Sequence, residues 1–184
     1  MAENNPHSWY HDAHKFCVQV EKVYGIPRHR VAGCLAALSP RLHWALTLRH
    51  TLSLVKTGKL ATNCGAPFGQ AASKALRILK GESPYRLIKG PKTRAFFDNI
   101  NRPDRSTEVT VDIWALRVYY QREPSKAEIR AIGKHSNYLE VAFWYKQQAK
   151  QRGLRPHEFQ AEAWLDKRGV PVFQTQLQFD AVDK

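Results

Sequence analysis

The sequence predicts an all-α protein. Apolar residues recur three or four apart along almost every segment, and glycine or proline stands where each pattern stops. The 43% hydrophobic content supplies enough apolar surface for a packed core. At 184 residues the chain suits one compact domain, or two small helical lobes sharing a cleft.

The elements follow in order. Ser8 opens a helix whose apolar side carries Trp9, Phe16, Val20 and Val23, and Gly25 and Pro27 end it. A second helix runs from about Arg28 to Leu38. Its residues Val31, Ala32, Cys34, Leu35, Ala36 and Leu38 are small or apolar, the composition of a buried helix. Pro40 breaks it and suits the first turn of a third helix, with Ser39 as the cap. That helix carries Leu42, Leu46, Leu52 and Val55 and stops near Gly58. Lys59 to Pro67 is a loop. A short helix, Gly69 to Leu79, ends at Gly81; a helical turn follows Pro84, and Gly90-Pro91 leads into a helix from Lys92 to Ile100. A second loop, Asn101 to Ser106, precedes the run Val109-Thr110-Val111-Asp112 and a helix from Ile113 to Gln121. Ser125 to Lys134 with Ser125 as cap, Tyr138 to Arg152 ended by Gly153, and Pro156 to Lys167 complete a domain of residues 1–168. Residues 169–184 read as an extended, loosely held tail.

Twenty-nine Lys and Arg stand against 16 Asp and Glu, a net charge of +13. Such a field attracts polyanions, so nucleic acid is the expected partner and an anionic membrane surface ranks second. The basic residues are spread through periodic apolar segments, so the charge belongs to the folded surface rather than to a tail. No stretch is long and apolar enough to span a bilayer, and the N-terminus has no signal-peptide apolar core. Cys17, Cys34 and Cys64 lack CxxC spacing, which argues against structural zinc or a four-cysteine iron–sulfur cluster and for a reducing cytoplasm.

Two segments carry candidate chemistry. In Arg86-Leu87-Ile88-Lys89-Gly90-Pro91-Lys92-Thr93-Arg94-Ala95, a glycine turn presents the backbone N–H groups of a helix N-terminus, with Lys89, Lys92 and Arg94 beside it. That arrangement suits a phosphate, and equally a solvated basic turn. In Val109-Thr110-Val111-Asp112-Ile113-Trp114-Ala115-Leu116-Arg117-Val118, one acid stands between an extended apolar run and an apolar helix. Asp112 reads as an N-cap, and a carboxylate held there also stabilises developing positive charge on a sugar. The two readings are compatible.

Together the segments resemble the helix–hairpin–helix DNA glycosylase superfamily, the group that includes endonuclease III. Gly90-Pro91-Lys92-Thr93 matches the end of that family's L-P-G-V-G-x-K-T-A hairpin, and Val111-Asp112-Ile113-Trp114-Ala115-Leu116-Arg117-Val118 matches its V-D-T-H-x-x-R-V motif at the family's spacing. Ala36-Ala37-Leu38-Ser39-Pro40-Arg41 is similar to its L-L-S-x-Q segment, so the likeness spans roughly Arg28 to Arg122. Three features depart from the pattern. Ile88 and Leu87 replace the first hairpin glycine and the proline, Ile113-Trp114 replaces Thr-His, and the C-terminal cysteine cluster of endonuclease III is missing.

The resemblance implies a two-lobed glycosylase that excises a damaged, mispaired or hypermodified base by flipping its nucleotide, with an optional lyase step. Asp112 takes the place of the catalytic aspartate. Lys92 takes that of the lysine nucleophile, or else contacts a phosphate. A nucleophilic amine must be desolvated or crowded by cations such as Lys89 and Arg94. Lys89, Gly90, Thr93 and Arg94 are the expected DNA contacts, and Arg41 and His43 the candidate wedge that fills the gap. Double-stranded DNA is the implied partner of a monomer without cofactor or metal, in the nucleoid or in a virus-infected bacterial cytoplasm. Two other readings stay open: a virus-type enzyme that modifies thymines, and a non-catalytic DNA-binding module in which Asp112 only caps a helix. His11, His14 and Cys17 make a thin metal motif without a carboxylate. Glu158 and Glu162 share a helix face, while Trp44, Phe143, Trp144 and Tyr145 read as packing residues.

Overall fold

A computed structural model describes residues 6–67 and 69–168. The predicted extended tail, 169–184, lies outside the described residues. A 3-10 turn at Pro6–Ser8 leads into α1 (Trp9–Tyr24), then α2 (Arg28–Leu38), α3 (Trp44–Thr57), α4 (Ala71–Leu79), α5 (Pro84–Leu87) and α6 (Pro91–Asn101). The second half contributes α7 (Ile113–Tyr120), α8 (Lys126–Ala131), α9 (His135–Gln151) and α10 (Pro156–Arg168). The described residues contain no strand, so the protein is all-α as its periodicity predicts. None of these helices is long and apolar enough to cross a membrane.

The helix ends follow local chemistry. Gly25 closes α1 at φ 70°, a left-handed conformation that is costly for any residue with a Cβ, and its N–H reaches the Glu21 carbonyl at 2.9 Å. Ser125 caps α8 in a capping box with Glu128, each side chain accepting from the other's backbone N–H. Ser39 behaves differently from expectation. It stays helical at the end of α2, its hydroxyl donating to the Ala36 carbonyl at 3.2 Å, and so it terminates one helix instead of starting the next. The chain then turns through Pro40 and Arg41, closed by the Leu42 N–H on the Ser39 carbonyl at 3.2 Å, and His43 is the N-cap of α3. Arg41 takes φ 61° at this turn, where glycine or asparagine is the usual choice; such strain costs on the order of 1–2 kcal/mol.

Apolar side chains gather into two clusters. The first surrounds α2, whose Leu35 and Leu38 are fully buried against Phe16 and Val20 of α1, Leu52 of α3, Ile78 of α4 and Phe97 and Ile100 of α6. A Cβ on Gly33 would stand 2.8 Å from the Pro84 ring, so the absence of a side chain there lets α2 lie directly on α4 and α5. The second cluster joins Val109 and Val111 to Leu116 of α7, Val141 and Tyr145 of α9 and Phe159 of α10. α10 belongs to both clusters, placing Phe159 in the second and Ala161 in the first.

Two apolar assignments fail. Val23 is 59% exposed, because Val20 and Tyr24 take the contact side of the last turns of α1. Phe143 is 62% exposed and Leu139, one turn earlier, 51%; the buried face of α9 is Tyr138, Val141, Ala142, Tyr145 and Ala149.

Candidate functional site

The extended run before α7 is held by side chains from three other helices. The Tyr138 hydroxyl donates to the Val109 carbonyl at 2.7 Å and accepts from the Val111 N–H at 3.2 Å. Gln160 of α10 grips Thr110 twice: its carbonyl oxygen accepts the Thr110 N–H at 2.9 Å, and its amide donates to the Thr110 carbonyl. Tyr10 of α1 donates to Thr110 Oγ1 at 3.1 Å, and buried His157 donates through Nε2 to the Pro103 carbonyl at 2.7 Å. Beyond the run, the Tyr145 hydroxyl holds the Ala115 carbonyl at 3.1 Å. Burial pushes the Tyr10 phenol up to about 12, against the opposing hydrogen bonds from Thr110 and Asn99, and burial raises Tyr138 and Tyr145 as well. The three phenols therefore stay protonated donors at any physiological pH.

This mount carries Asp112. Its backbone is extended (φ −122°, ψ −173°), and Oδ1 accepts the Ala115 N–H at 2.9 Å, so the expected N-cap is present. Among the described residues no basic side chain pairs with the carboxylate. The guanidinium that senses its charge, Arg117, is committed to both oxygens of Glu123 at 2.7 and 3.0 Å and stacks on the Trp114 ring at 4.1 Å.

Asp112 lines a cavity of about 60 Å³ together with Trp9, Tyr10, Phe96, Gln160 and Trp164. The rings brace one another. Trp9 meets Tyr10 at 4.9 Å and Trp164 at 5.7 Å, both edge to face, and lies 5.9 Å from Phe96. Trp44, the first residue of α3, extends the cluster at 5.0 Å from Trp9 and 6.1 Å from Phe96. Trp9, Tyr10, Phe96, Gln160 and Trp164 are absent from the sequence-level candidates. One signal was available for two of them: His157, Gln160, Ala161 and Trp164 fall at i, i+3, i+4 and i+7 on α10.

The predicted residues fare unevenly. Lys92 is exposed in the first turn of α6 and shares a helix face with Phe96, four residues on, which lines the Asp112 cavity. Lys89 and Gly90 are exposed and Thr93 is half-buried. Gly90 caps α6 at φ −73°, and no residue from Ile88 to Gly90 has a positive φ, so the turn works without a glycine-specific conformation. Ile88, which stands where the glycosylase hairpin pattern has its first glycine, is buried in the first core. Arg94 turns inward, donating to the Tyr85 carbonyl at 2.8 Å and the Ile88 carbonyl at 3.2 Å while stacking on the Tyr85 ring at 4.8 Å. It braces the hairpin. Arg41 and His43 are exposed on the turn that leads into Trp44, beside the aromatic cluster. His11, whose spacing with His14 and Cys17 is rejected as a metal motif, meets Asp104 at 3.2 Å.

Charge is divided along the chain. Residues 22–97 hold fourteen Lys and Arg against one acid, Glu82, whereas residues 98–168 hold thirteen against ten. The fold and site thus define an all-α protein in which a strongly basic helical region adjoins a helix-capping carboxylate in an aromatic cavity. The chain belongs to the family described as "Family of unknown function (DUF7178)", whose model matches residues 2–170. Comparison with curated proteins and with solved structures returns no significant match.

Proposed function

We propose that the protein is a DNA N-glycosylase working from the Asp112 cavity on double-stranded DNA, as a monomer without cofactor. One observation carries this reading. The helix opened by Gly90-Pro91-Lys92 supplies, through Phe96, a wall of the cavity lined by the Asp112 carboxylate. Lys92 then sits one helical turn, about 5.4 Å of rise, from that wall. The helix that begins in the first motif thus supplies one wall of the cavity that Asp112 of the second motif lines, with Lys92 itself outside that lining.

The chemistry follows from the charges. As the bond from C1′ to the base breaks, positive charge grows on the sugar, and a fixed carboxylate without a counter-cation among the described residues stabilises it. Oδ1 is engaged by the Ala115 N–H, so the second carboxylate oxygen is the one that faces the reaction. Water attacks C1′ in the simple hydrolysis. In the lyase variant the neutral Lys92 amine attacks instead, the base leaves with the bond electrons, and the resulting Schiff base permits β-elimination of the 3′ phosphate. The basic region from α2 to α6 supplies the phosphate contacts, through Lys89, Lys92 and the open N–H groups of α6, with Arg41 and His43 as the wedge. A cavity of about 60 Å³ equals roughly two waters of liquid volume, so a flipped base enters only when Trp9, Phe96 and Trp164 move apart.

The deciding experiment is a panel of duplex oligonucleotides, each with one modified or mispaired base, scored for abasic sites. Excision of at least one base, abolished by Asp112→Asn, is expected. Borohydride should trap a covalent adduct on abasic DNA that Lys92→Ala removes if the lyase step operates. A folded protein that binds duplex DNA but leaves every base in place would make Asp112 a helix cap in a non-catalytic DNA-binding module, the reading its bond to Ala115 favours.

A further inference from the structure

The cavity beside Asp112 is electrostatically opposite to the molecule around it. The protein carries a net charge of +13, yet among the described residues no Lys, Arg or His lines this cavity. Its one ionisable acid is a carboxylate without a basic partner among the described residues, and four aromatic rings, Trp9, Tyr10, Phe96 and Trp164, supply most of the remaining wall. Trp9 stands at 86° to Trp164 and 79° to Tyr10, so neighbouring walls face different directions, as in a box. The phenol among them is a neutral donor already spent on Thr110.

An aromatic ring is negative on its faces, and several rings set at angles around a carboxylate attract a diffuse cation more than a neutral group of the same shape. A small, strongly hydrated ammonium would lose too much water on entering such a wall, whereas methyl groups on nitrogen spread the charge and suit the apolar lining. The volume sets a limit: about 60 Å³, roughly two waters, takes one or two methyl groups, so a whole trimethylammonium, like a nucleobase, enters only as the rings part.

We propose that the Asp112 cavity is a receptor for a methylated ammonium group, free or borne on a nucleotide. The α7 N-terminus carries roughly half a positive charge, so it offsets only part of the full carboxylate charge, and only one carboxylate oxygen is turned to the Ala115 N–H. This inference concerns binding and stands whether or not a glycosidic bond is cut.

Choline and its neutral isostere 3,3-dimethylbutan-1-ol separate charge from shape. Each is titrated into the full chain at constant ionic strength, without DNA, following tryptophan fluorescence and calorimetry. Choline is expected to bind at least about tenfold more tightly than the alcohol, with a change in tryptophan emission. Asp112→Asn, which retains a capping side chain, should remove that preference and leave affinity for the alcohol unchanged. Trp164→Leu should weaken choline severalfold, and an unaltered circular dichroism melt certifies the fold of both variants. Equal affinities for the two ligands, a preference that survives Asp112→Asn, or no saturable choline binding would each overturn the proposal. If choline binds and no base is ever excised, the receptor stands and the glycosylase reading falls. A duplex carrying a trimethylammonium-bearing base that competes with choline assigns the nucleotide as the source, and failure to compete assigns the free amine.

Discussion

The region from residue 22 to 97 and the region from 98 to 168 share one helical fold and differ in charge. The first holds the net charge of the whole molecule, yet its named hairpin residues are exposed at a helix N-terminus or, like Arg94, spent on bracing the turn. The second is nearly balanced in charge, and half of its ten acids are tied to arginines, among them Glu123 to Arg117, Glu128 to Arg122 and Glu158 to Arg155. Asp112, like Glu108, Glu140 and Asp166, has no basic partner among the described residues; what sets it apart is its place on a segment gripped by Tyr10, Tyr138 and Gln160. A diffuse basic surface serves long-range attraction and tolerates loose geometry, because Coulomb forces fall off slowly. A reacting carboxylate has to be held within fractions of an ångström, which takes buried hydrogen bonds. The difference teaches that the excess charge and the firmly held carboxylate belong to separate regions, joined where α10 enters both cores, and the proposed function gives binding to the first and chemistry to the second.

That division is open to attack from either side. The largest effect is expected from Asp112→Asn: base excision should fall a hundredfold or more at saturating DNA, with the thermal midpoint nearly unchanged because asparagine caps as well as aspartate. Melting of the variant with unchanged activity per folded molecule would reduce Asp112 to a structural cap. Gln160→Leu comes next, since it leaves the buried N–H and carbonyl of Thr110 without partners. A loss of about 3 kcal/mol in urea unfolding is expected, with DNA affinity of the folded fraction retained. A smaller, region-specific effect is expected from charge. Replacing Lys89 and Lys92 by alanine should lower the slope of log affinity against log salt by about 2, whereas replacing Lys146 and Lys150 on α9 should leave it in place. Equal effects from both pairs would erase the functional boundary between the regions. Ser125→Ala should cost about 1 kcal/mol through the lost capping box, without touching DNA binding.

The smallest effect concerns pH. Burial holds the His157 pKa below its ordinary value, with the Pro103 carbonyl opposing, and its Nδ1 is buried without a hydrogen-bond partner. The unfolded chain therefore takes up the proton first on acidification. The neutral ring's contribution is complete above its ordinary pKa of about 6.5 and is lost as pH falls below it toward the depressed folded value. Unfolding free energy measured from pH 7.5 to 5.5 should decline, and His157→Gln should flatten that decline.

Much of this architecture is legible in one dimension. The bounds of α2, the left-handed glycines after α1 and α3, the Ser125 cap and the Asp112 cap each depend on a few adjacent residues, so their chemistry is written locally. Ser39 misleads because a serine between a helix and a proline suits either end of a helix, and its hydroxyl found the Ala36 carbonyl first. Phe143 misleads because a helix with apolar residues on several sides does not announce which side is covered.

The residues by themselves determined the all-helical class, the excess of positive charge and the pairing of a glycine-proline hairpin with a capping aspartate at fixed spacing. Those features arise from local periodicity, local capping and composition. Only the tertiary structure decided that Trp9, Phe96 and Trp164, the outer two 155 positions apart, wall one cavity beside Asp112, and that Gln160 holds the backbone beneath it. Convergence of distant helices is set by how α1, α6 and α10 pack, and packing depends on the whole core at once, which no short stretch of sequence contains.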